Sequence, residues 1–356
     1  MAVGIDEVEA ASRRLASRVV KTILMDSSGL TDRLSTSTTL PTALIHLLQV
    51  SQVFFKCEMF QHTGSMKYRG ATNAVLAHLE RLRTSPDDVD GERRLAAGGT
   101  VTFVAHSSGN HGHAVAKAAA EEGHACVVVM PRDAPPPKIA AIRAVGATVV
   151  LCEPNHAARE AGCEIVMREC AQAAKHAVLV RPSDDDCVIA GQGTIGLEIL
   201  SDLPDVDGVI VPVGGGATIS GVALALKTRK PSVKVFGAEP LNADDAARSL
   251  AARTLQGFEA GQPNTIADGL RAPLCARTFA HIAAHVDDII TVTESELKQA
   301  LVLVFERLKV VIEPAAAASA AVVLFHAHRL HGCSKLVVLL SGGNVDFLNF
   351  RALVAD

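Results

Sequence analysis

Three observations predict an α/β protein built on twisted, mostly parallel sheets flanked by helices. Short β-branched runs alternate with alanine-rich helical stretches along most of the 356 residues, the pattern of strand–helix units on a parallel sheet. The core must come from Ala, Val, Leu and Ile, because the AVILMFWYC set makes up 49% of the chain while aromatics make up only 3%, with no Trp. Such a supply suits helices packed on a sheet buried on both faces. Finally, several candidate strands end in glycine-containing turns that lead straight into a helix.

The expected strands are 53–55, 102–105, 126–129, 148–151, 208–211, 233–236, 289–292 and 336–340. Helices are expected at 69–82, 111–122, 136–145, 156–174, 192–202, 218–229, 295–309 and 314–331, and an amphipathic pattern of Val8, Ala11, Leu15 and Val19 opens the chain. At about 150 residues per domain the length expects two lobes. The polar segments 83–94 and 181–186 read as crossings between them. They divide the chain into residues 1–94 (large domain, first part), 95–180 (small inserted domain) and 181–356 (large domain, second part).

A net charge of −4, a pI near 6.4 and the lack of aromatic platforms argue against nucleic acid as a partner. Eight scattered cysteines without a CxxC pair point to a reducing, cytoplasmic setting and away from metal–thiolate sites. The acidic N-terminal pattern is wrong for a signal or transit peptide, and no apolar run reaches the length of a membrane span, so no membrane partner is expected.

Five motifs carry chemistry. In Thr63-Gly64-Ser65-Met66-Lys67-Tyr68-Arg69-Gly70 a lysine stands at a helix start, facing the positive end of the dipole. It is either a solvated surface residue or an amine whose pKa is depressed towards a usable nucleophile. His106-Ser107-Ser108-Gly109-Asn110-His111-Gly112-His113 follows a strand and opens a helix, which suits a bound carboxylate or an ordinary N-cap. Its three histidines have no acid or thiol nearby in the sequence to complete a metal set, so no metal is expected there. Val213-Gly214-Gly215-Gly216-Ala217 lets backbone N–H groups wrap an anion, phosphate being the natural guest. A dinucleotide reading, with Glu239 on the ribose, competes but lacks the G-x-G-x-x-G spacing. Glu239-Pro240-Leu241-Asn242-Ala243-Asp244-Asp245 suits either a hard cation or a helix cap at Asn242. Ser341-Gly342-Gly343-Asn344 places a hydroxyl on a glycine turn after the last strand.

Taken in order, these motifs resemble the fold-type II pyridoxal-phosphate enzymes, and are most similar to the eukaryotic serine racemase and serine/threonine dehydratase group. The resemblance runs from about Lys21 to Val345. It implies a two-lobed, tryptophan-synthase-β-like fold, pyridoxal 5'-phosphate as cofactor, Mg²⁺ (or Ca²⁺/Mn²⁺) as a second one, a small amino acid such as serine or threonine as substrate, and a homodimer. Lys67 would hold the cofactor and serve one face of the substrate Cα, and Ser108 would serve the other, since racemisation needs a group on each face. The cofactor phosphate would lie in Gly214, Gly215, Gly216 and Ala217, its ring oxygen against Asn110, its ring nitrogen against Ser341, and its faces between Met66 and Gly269. The substrate carboxylate would dock on Ser107, Ser108, Asn110 and His111, with Arg159 and Glu160 nearby. Glu239, the Ala243 carbonyl and Asp245 would hold the metal.

The expected activity is racemisation of serine with β-elimination from serine and threonine. Two alternatives stand beside it: a dehydratase acting mainly by elimination, on L-threonine, L-serine or 3-hydroxyaspartate, and a nicotinamide-dependent oxidoreductase. Ala217 replaces the usual fourth glycine, and Ser183 replaces an Asn near the substrate and Ala272 a frequent Ser, both bearing on side-chain specificity. Thr22-Ile23-Leu24 replaces the usual Thr-Pro and a longer Ser/Thr-rich run follows to Thr42, so nucleotide activation is not carried over. Tyr68, the sole tyrosine, follows Lys67 and is expected to be quenched by a bound cofactor.

Overall fold

The computed structural model describes residues 3–26, 52–84, 99–107, 109–258 and 263–355. Two sheets organise them. The larger runs in the order β1 (Leu24–Asp26), β2 (Gln52–Cys57), β10 (Lys335–Leu340), β7 (Gly208–Pro212), β8 (Lys234–Pro240) and β9 (Asp288–Val292). The smaller runs β5 (Thr148–Cys152), β4 (Ala125–Pro131), β3 (Val101–His106) and β6 (His176–Leu179). Pairing is parallel throughout except between β1 and β2. Every expected strand falls on one of these. Strands β1 and β6 were not expected, because both are short edge strands that lack the fully buried apolar run of β3, β7 or β10.

The helices are α1 (Ile5–Leu15), α2 (Lys67–Thr84), α3 (Asn110–Glu121), α4 (Pro136–Ala144), α5 (His156–Gln172), α6 (Asp186–Asp202), α7 (Ala217–Arg229), α8 (Asp245–Ala252), α9 (Ala276–His285), α10 (Glu294–Leu308), α11 (Pro314–His326) and α12 (Phe347–Val354). Helix α6 begins well before residue 192. Asp185 caps it, its carboxylate accepting from the N–H groups of Cys187 (2.8 Å) and Val188 (3.2 Å). Helix α11 stops at His326, short of residue 331, in a 3₁₀ turn over Ala327–Arg329. Helix α8 is the one a cap at Asn242 would have opened, while the short helices α9 and α12 are not among the expected ones. The strands of the smaller sheet all lie within 95–180, yet one continuous apolar cluster joins α3 to α1, α2 and α6 across that segment's edges.

Glycines let the helices that carry the site approach closely. A Cβ on Gly221 of α7 would lie 2.2 Å from the Ile189 carbonyl oxygen of α6. Gln192, fully buried in that contact, accepts from the Gly70 N–H (2.9 Å) and donates to the Thr218 hydroxyl (2.9 Å). One amide thus ties the start of α2 to the start of α7.

A second anchor is ionic. Arg69 is sealed from water, with Nε and Nη2 donating to Glu58 (2.9 and 2.8 Å) and Nη1 and Nη2 to Glu198 (2.6 and 2.8 Å). Lys56, equally buried, donates to Glu198 (2.6 Å) and to the Thr22 carbonyl (2.7 Å). Burial alone would raise the Glu58 pKa, but its contacts with Arg69, Thr22 and Lys56 outweigh this and hold it below 4.5. Arg69→Met leaves buried Glu58 without a bonded cation and Glu198 with Lys56 alone, and is expected to cost about 3–5 kcal/mol, read as a lowered urea midpoint. A depressed carboxylate pKa contributes stability that is present above the unfolded value and is lost as pH falls through the folded one. Without Arg69, burial would instead raise the Glu58 pKa, so the gap between the two proteins should narrow as pH falls and the variant's Glu58 takes up its proton; an unchanged midpoint at neutral pH would show that the cluster is not an anchor.

Candidate active site

The carboxyl ends of β2, β3, β7 and β10 face a cleft of about 900 Å³. Lys67 enters it from a tight turn in which Thr63 (φ 62°) and Gly64 (φ 70°) take left-handed backbone. The turn is stitched to the exit of β10: Met66 N–H donates to the Ser341 carbonyl (2.9 Å) and Gly343 N–H to the Gly64 carbonyl (3.0 Å). Lys67 is the first residue of α2 and is half-buried, and burial pushes its pKa down to about 8 against an opposing pull from Glu313. Of the two readings of this lysine, a solvated surface position is not what the structure shows: the side chain lines the cleft.

Glu313, absent from the expected site residues, lies at the centre of it. It precedes α11, is 3% exposed, and accepts from Asn110 Nδ2 at 2.7 and 3.0 Å. Burial, then the charge of Asp268, raises its pKa to about 7. Asn344 completes the group, donating to the Thr63 carbonyl (2.7 Å) and to Asn110 Oδ1 (2.9 Å). A sequence signal did exist: Glu313 directly precedes a helix buried from Pro314 to Leu324, so its charge had to be buried or used. Lys138 and Asp268 form an ion pair at the cleft, one from α4 and one from the 3₁₀ turn Asp268–Leu270.

Two helices, α3 and α7, begin at the cleft and turn the positive ends of their dipoles towards it. Gly216 caps α7 in left-handed backbone (φ 85°), and Ala217 follows as the first helical residue, where a methyl group is tolerated. Of the four residues Gly214 to Ala217 only Gly215 lines the cleft; a Cβ on Gly215 would sit 2.0 Å from Ser183 Oγ. At the start of α3 the Ser107 hydroxyl accepts from Gly109 N–H (2.9 Å). Ser108 lies outside the described residues. The His111 ring contacts the Val180 carbonyl (3.0 Å), and burial pushes its pKa down to about 4, so its imidazole is structural and only its backbone can serve an anion. Burial, then His111, His156, Arg159 and Arg181, pushes His106 down to about 3. Met66, Ser107, Asn110, Arg159, Gly269 and Ser341 all line the cleft, and Arg159 Nε is buried without a partner among the described residues. Tyr68 does not line it; its hydroxyl turns to Glu121 on α3.

Glu239 and Asp245 meet outside the cleft. Both are buried: Glu239 accepts from Ala246 (3.1 Å) and Ala247 (2.9 Å) N–H groups, and Asp245 Oδ2 from Leu274 N–H (2.8 Å). Glu239 therefore takes the capping role at α8 that one of the two alternatives gave to Asn242, and Asn242 instead donates to the Asn264 carbonyl (2.9 Å). Burial, reinforced by Asp245, drives Glu239 well up, while burial raises Asp245 to about 6. Asp245 Oδ1 is buried with no partner among the described residues, and Ala243 is 1% exposed. Leu274 also lines the cleft, so this acidic pair braces the cleft wall.

Residues 36–342 match the sequence profile described as pyridoxal-phosphate dependent enzyme. The chain is 42% identical to the Homo sapiens serine racemase over 318 residues, covering 88% of each chain. Among solved structures, maize serine racemase superposes with a TM-score of 0.83 at 35% identity, covering 99% of this chain and 97% of that one. A T.th. threonine deaminase superposes with a TM-score of 0.80 at 38% identity, covering 97% of this chain and 99% of that one.

The Lys67 pKa of about 8 and the Glu313 pull together set an expectation for the cofactor-free protein. The rate of Lys67 labelling by an amine-selective reagent should rise with an apparent pKa near 8, and Glu313→Gln should move that midpoint to lower pH. A midpoint near 10.5, the ordinary lysine value, would mean that the amine is solvated.

Proposed function

The chain belongs to the pyridoxal-phosphate dependent enzymes, and on that footing we propose that it interconverts L- and D-serine and also eliminates the β-hydroxyl group of L-serine and L-threonine, giving pyruvate or 2-oxobutyrate and ammonia. The observation that carries this reading is the amine of Lys67, depressed to about pH 8 in a cleft lined by Gly215, Asn110 and Ser341. An oxidoreductase is no longer in view: Glu239, which a ribose would need, is sealed beneath α8.

Pyridoxal phosphate fits the residues present. Its phosphate suits the backbone at Gly214 to Ala217, where the N-terminus of α7 points and where a Cβ on Gly215 would collide with Ser183. When bound, the group supplies an electron-withdrawing ring that stabilises the charge left when a proton leaves the substrate Cα. Ser341 offers the ring nitrogen a neutral hydroxyl. Asn110 offers an amide proton once Glu313 keeps only one of its two contacts. Lys67 holds the cofactor, and its amine takes or returns the Cα proton on one face, efficiently because a pKa of about 8 lies near the working pH. Ser108 is the proposed group on the other face. The N–H groups at the start of α3 and the Arg159 guanidinium receive the substrate carboxylate.

The likeness to a threonine deaminase favours a second reading in which elimination dominates. Ser108→Ala separates the two. It should lower racemisation by about 10²–10⁴-fold, the worth of one acid–base group, while pyruvate formation from L-serine largely persists. Equal loss of both activities, or of neither, would overturn the role given to Ser108. Lys67→Ala should abolish both activities and the visible absorption band.

The proposal includes a divalent cation, Mg²⁺, Ca²⁺ or Mn²⁺, at Glu239, the Ala243 carbonyl and Asp245. The donor set is all oxygen, and a cation would relieve two adjacent buried carboxylates and engage the orphaned Asp245 Oδ1. Protons compete for the raised carboxylates, so Mg²⁺ affinity should fall as pH drops through about 6. Asp245→Asn should remove both that pH dependence and the thermal stabilisation by Mg²⁺; a metal response retained in the variant would place the ion elsewhere. A homodimer, the division at 95–180 and a cytoplasmic location belong to the same proposal. All eight cysteines are free, which supports a reducing compartment. Among the described residues no helix is long and apolar enough to cross a membrane.

A further inference from the structure

We infer that His106, His156 and Glu160 form a binding site for a transition-metal ion of the zinc class in the wall of the cleft. The histidines at 106, 111 and 113 have no acid beside them in the sequence, and the fold supplies what is missing from another segment. His111 is committed to the Val180 carbonyl. His106, the last residue of β3, instead meets His156, the first residue of α5, with ring centroids 5.5 Å apart and the planes at 78°. Glu160 follows one helical turn later on the same face, its Oε2 3.6 Å from His156 Nδ1.

One ligand atom from each of the three residues lies within 4.8 Å of the other two. Tetrahedral donors at about 2.0 Å from zinc stand about 3.3 Å apart, so the set must contract. The two residues on α5 can do this without moving backbone, because their side chains are 41% and 50% exposed. His106 is 5% exposed and rigidly placed, so it is the fixed point on which the others close. Three protein ligands then leave one position open, and all three residues line the cleft.

The chemistry of the donors and their neighbours selects the ion. Two imidazoles and one carboxylate suit zinc, and Mg²⁺ and Ca²⁺ prefer oxygen. Arg159 and Arg181 lie near enough to repel a weakly held cation, which leaves only ions that bind nitrogen strongly. None of the three ligands belongs to the Glu239–Asp245 pair. An ion here would stand beside Ser107 and Arg159 and obstruct substrate entry, so zinc should inhibit; that consequence rests on the proposed activity, whereas the binding site does not.

The test is calorimetric titration of zinc into the holoenzyme with saturating Mg²⁺ and no substrate, paired with turnover assays over the same zinc range. The wild type should show one saturable site and lose activity as it fills. His156→Ala should weaken zinc by at least about tenfold, since even outer-shell changes cost 10–100-fold, and should keep its zinc-free activity while escaping inhibition. Glu160→Gln should also bind more weakly. No saturable uptake by the wild type, or equal uptake by His156→Ala, would overturn the site. Uptake that follows the variants but leaves turnover untouched would overturn the inhibition alone. Absence of serine turnover in every sample would instead count against the proposed activity, and the titration would still decide the site.

Discussion

Arg69 stands two residues beyond Lys67 on the first turn of α2 and carries a charge that no water reaches. A buried guanidinium is tolerable only when its partners are complete, and here they come from three directions: Glu58 after β2, Glu198 near the end of α6, and the Val20 carbonyl before β1 (3.2 Å). Sliding α2 by one residue would take Arg69 from both Glu58 and Glu198 and break the Gln192 link between α2 and α7. The position of Lys67 is therefore not a local property of its turn. It follows from charge pairing beneath the helix, and the β10 contacts of Met66 and Gly64 hold the same turn from above.

The cleft balances its electrostatics rather than accumulating one sign. Two helix N-termini, Lys67 and Arg159 make it receptive to a phosphate and a carboxylate. Glu313 opposes them from within. Burial acts on the facing groups in opposite directions, lowering Lys67 to about 8 and raising Glu313 to about 7, so that each can change charge near neutrality. Asn110 and Asn344 carry hydrogen bonds between Glu313 and the Thr63 carbonyl. The carboxylate is thereby coupled to the turn that presents the lysine, although it touches no part of that turn through its own oxygens.

Legibility in the sequence tracked how local each feature is. Strands such as 336–340 and the helix after Gly216 declare themselves by runs of β-branched residues and by glycines, both read over a few positions. Edge strands β1 and β6 did not, because half-buried strands need no continuous apolar run. The early start of α6 was hidden in a polar patch whose Asp185 is a cap. Among site residues, Lys67, Asn110, Gly215 and Ser341 are legible because each stands on a turn at a strand's end. Glu313 was missed because its importance lies in Asn110, far away in sequence. The cap alternative for Asn242 fails because Glu239, several residues earlier, reaches the same helix end through space.

The sequence by itself determined the α/β class, the order of the motifs, and the placing of a lysine and two glycine-containing helix starts at strand ends, because these depend on periodicity and on backbone geometry set within a few residues. Only the tertiary structure decided what those groups feel and meet. Burial set the direction of the Lys67 and Glu313 shifts, the Arg69 cluster set where α2 begins, and the approach of α5 to β3 brought His156 and Glu160 to His106. Desolvation and charge interaction act through space, and distance in space is fixed only once the chain has packed.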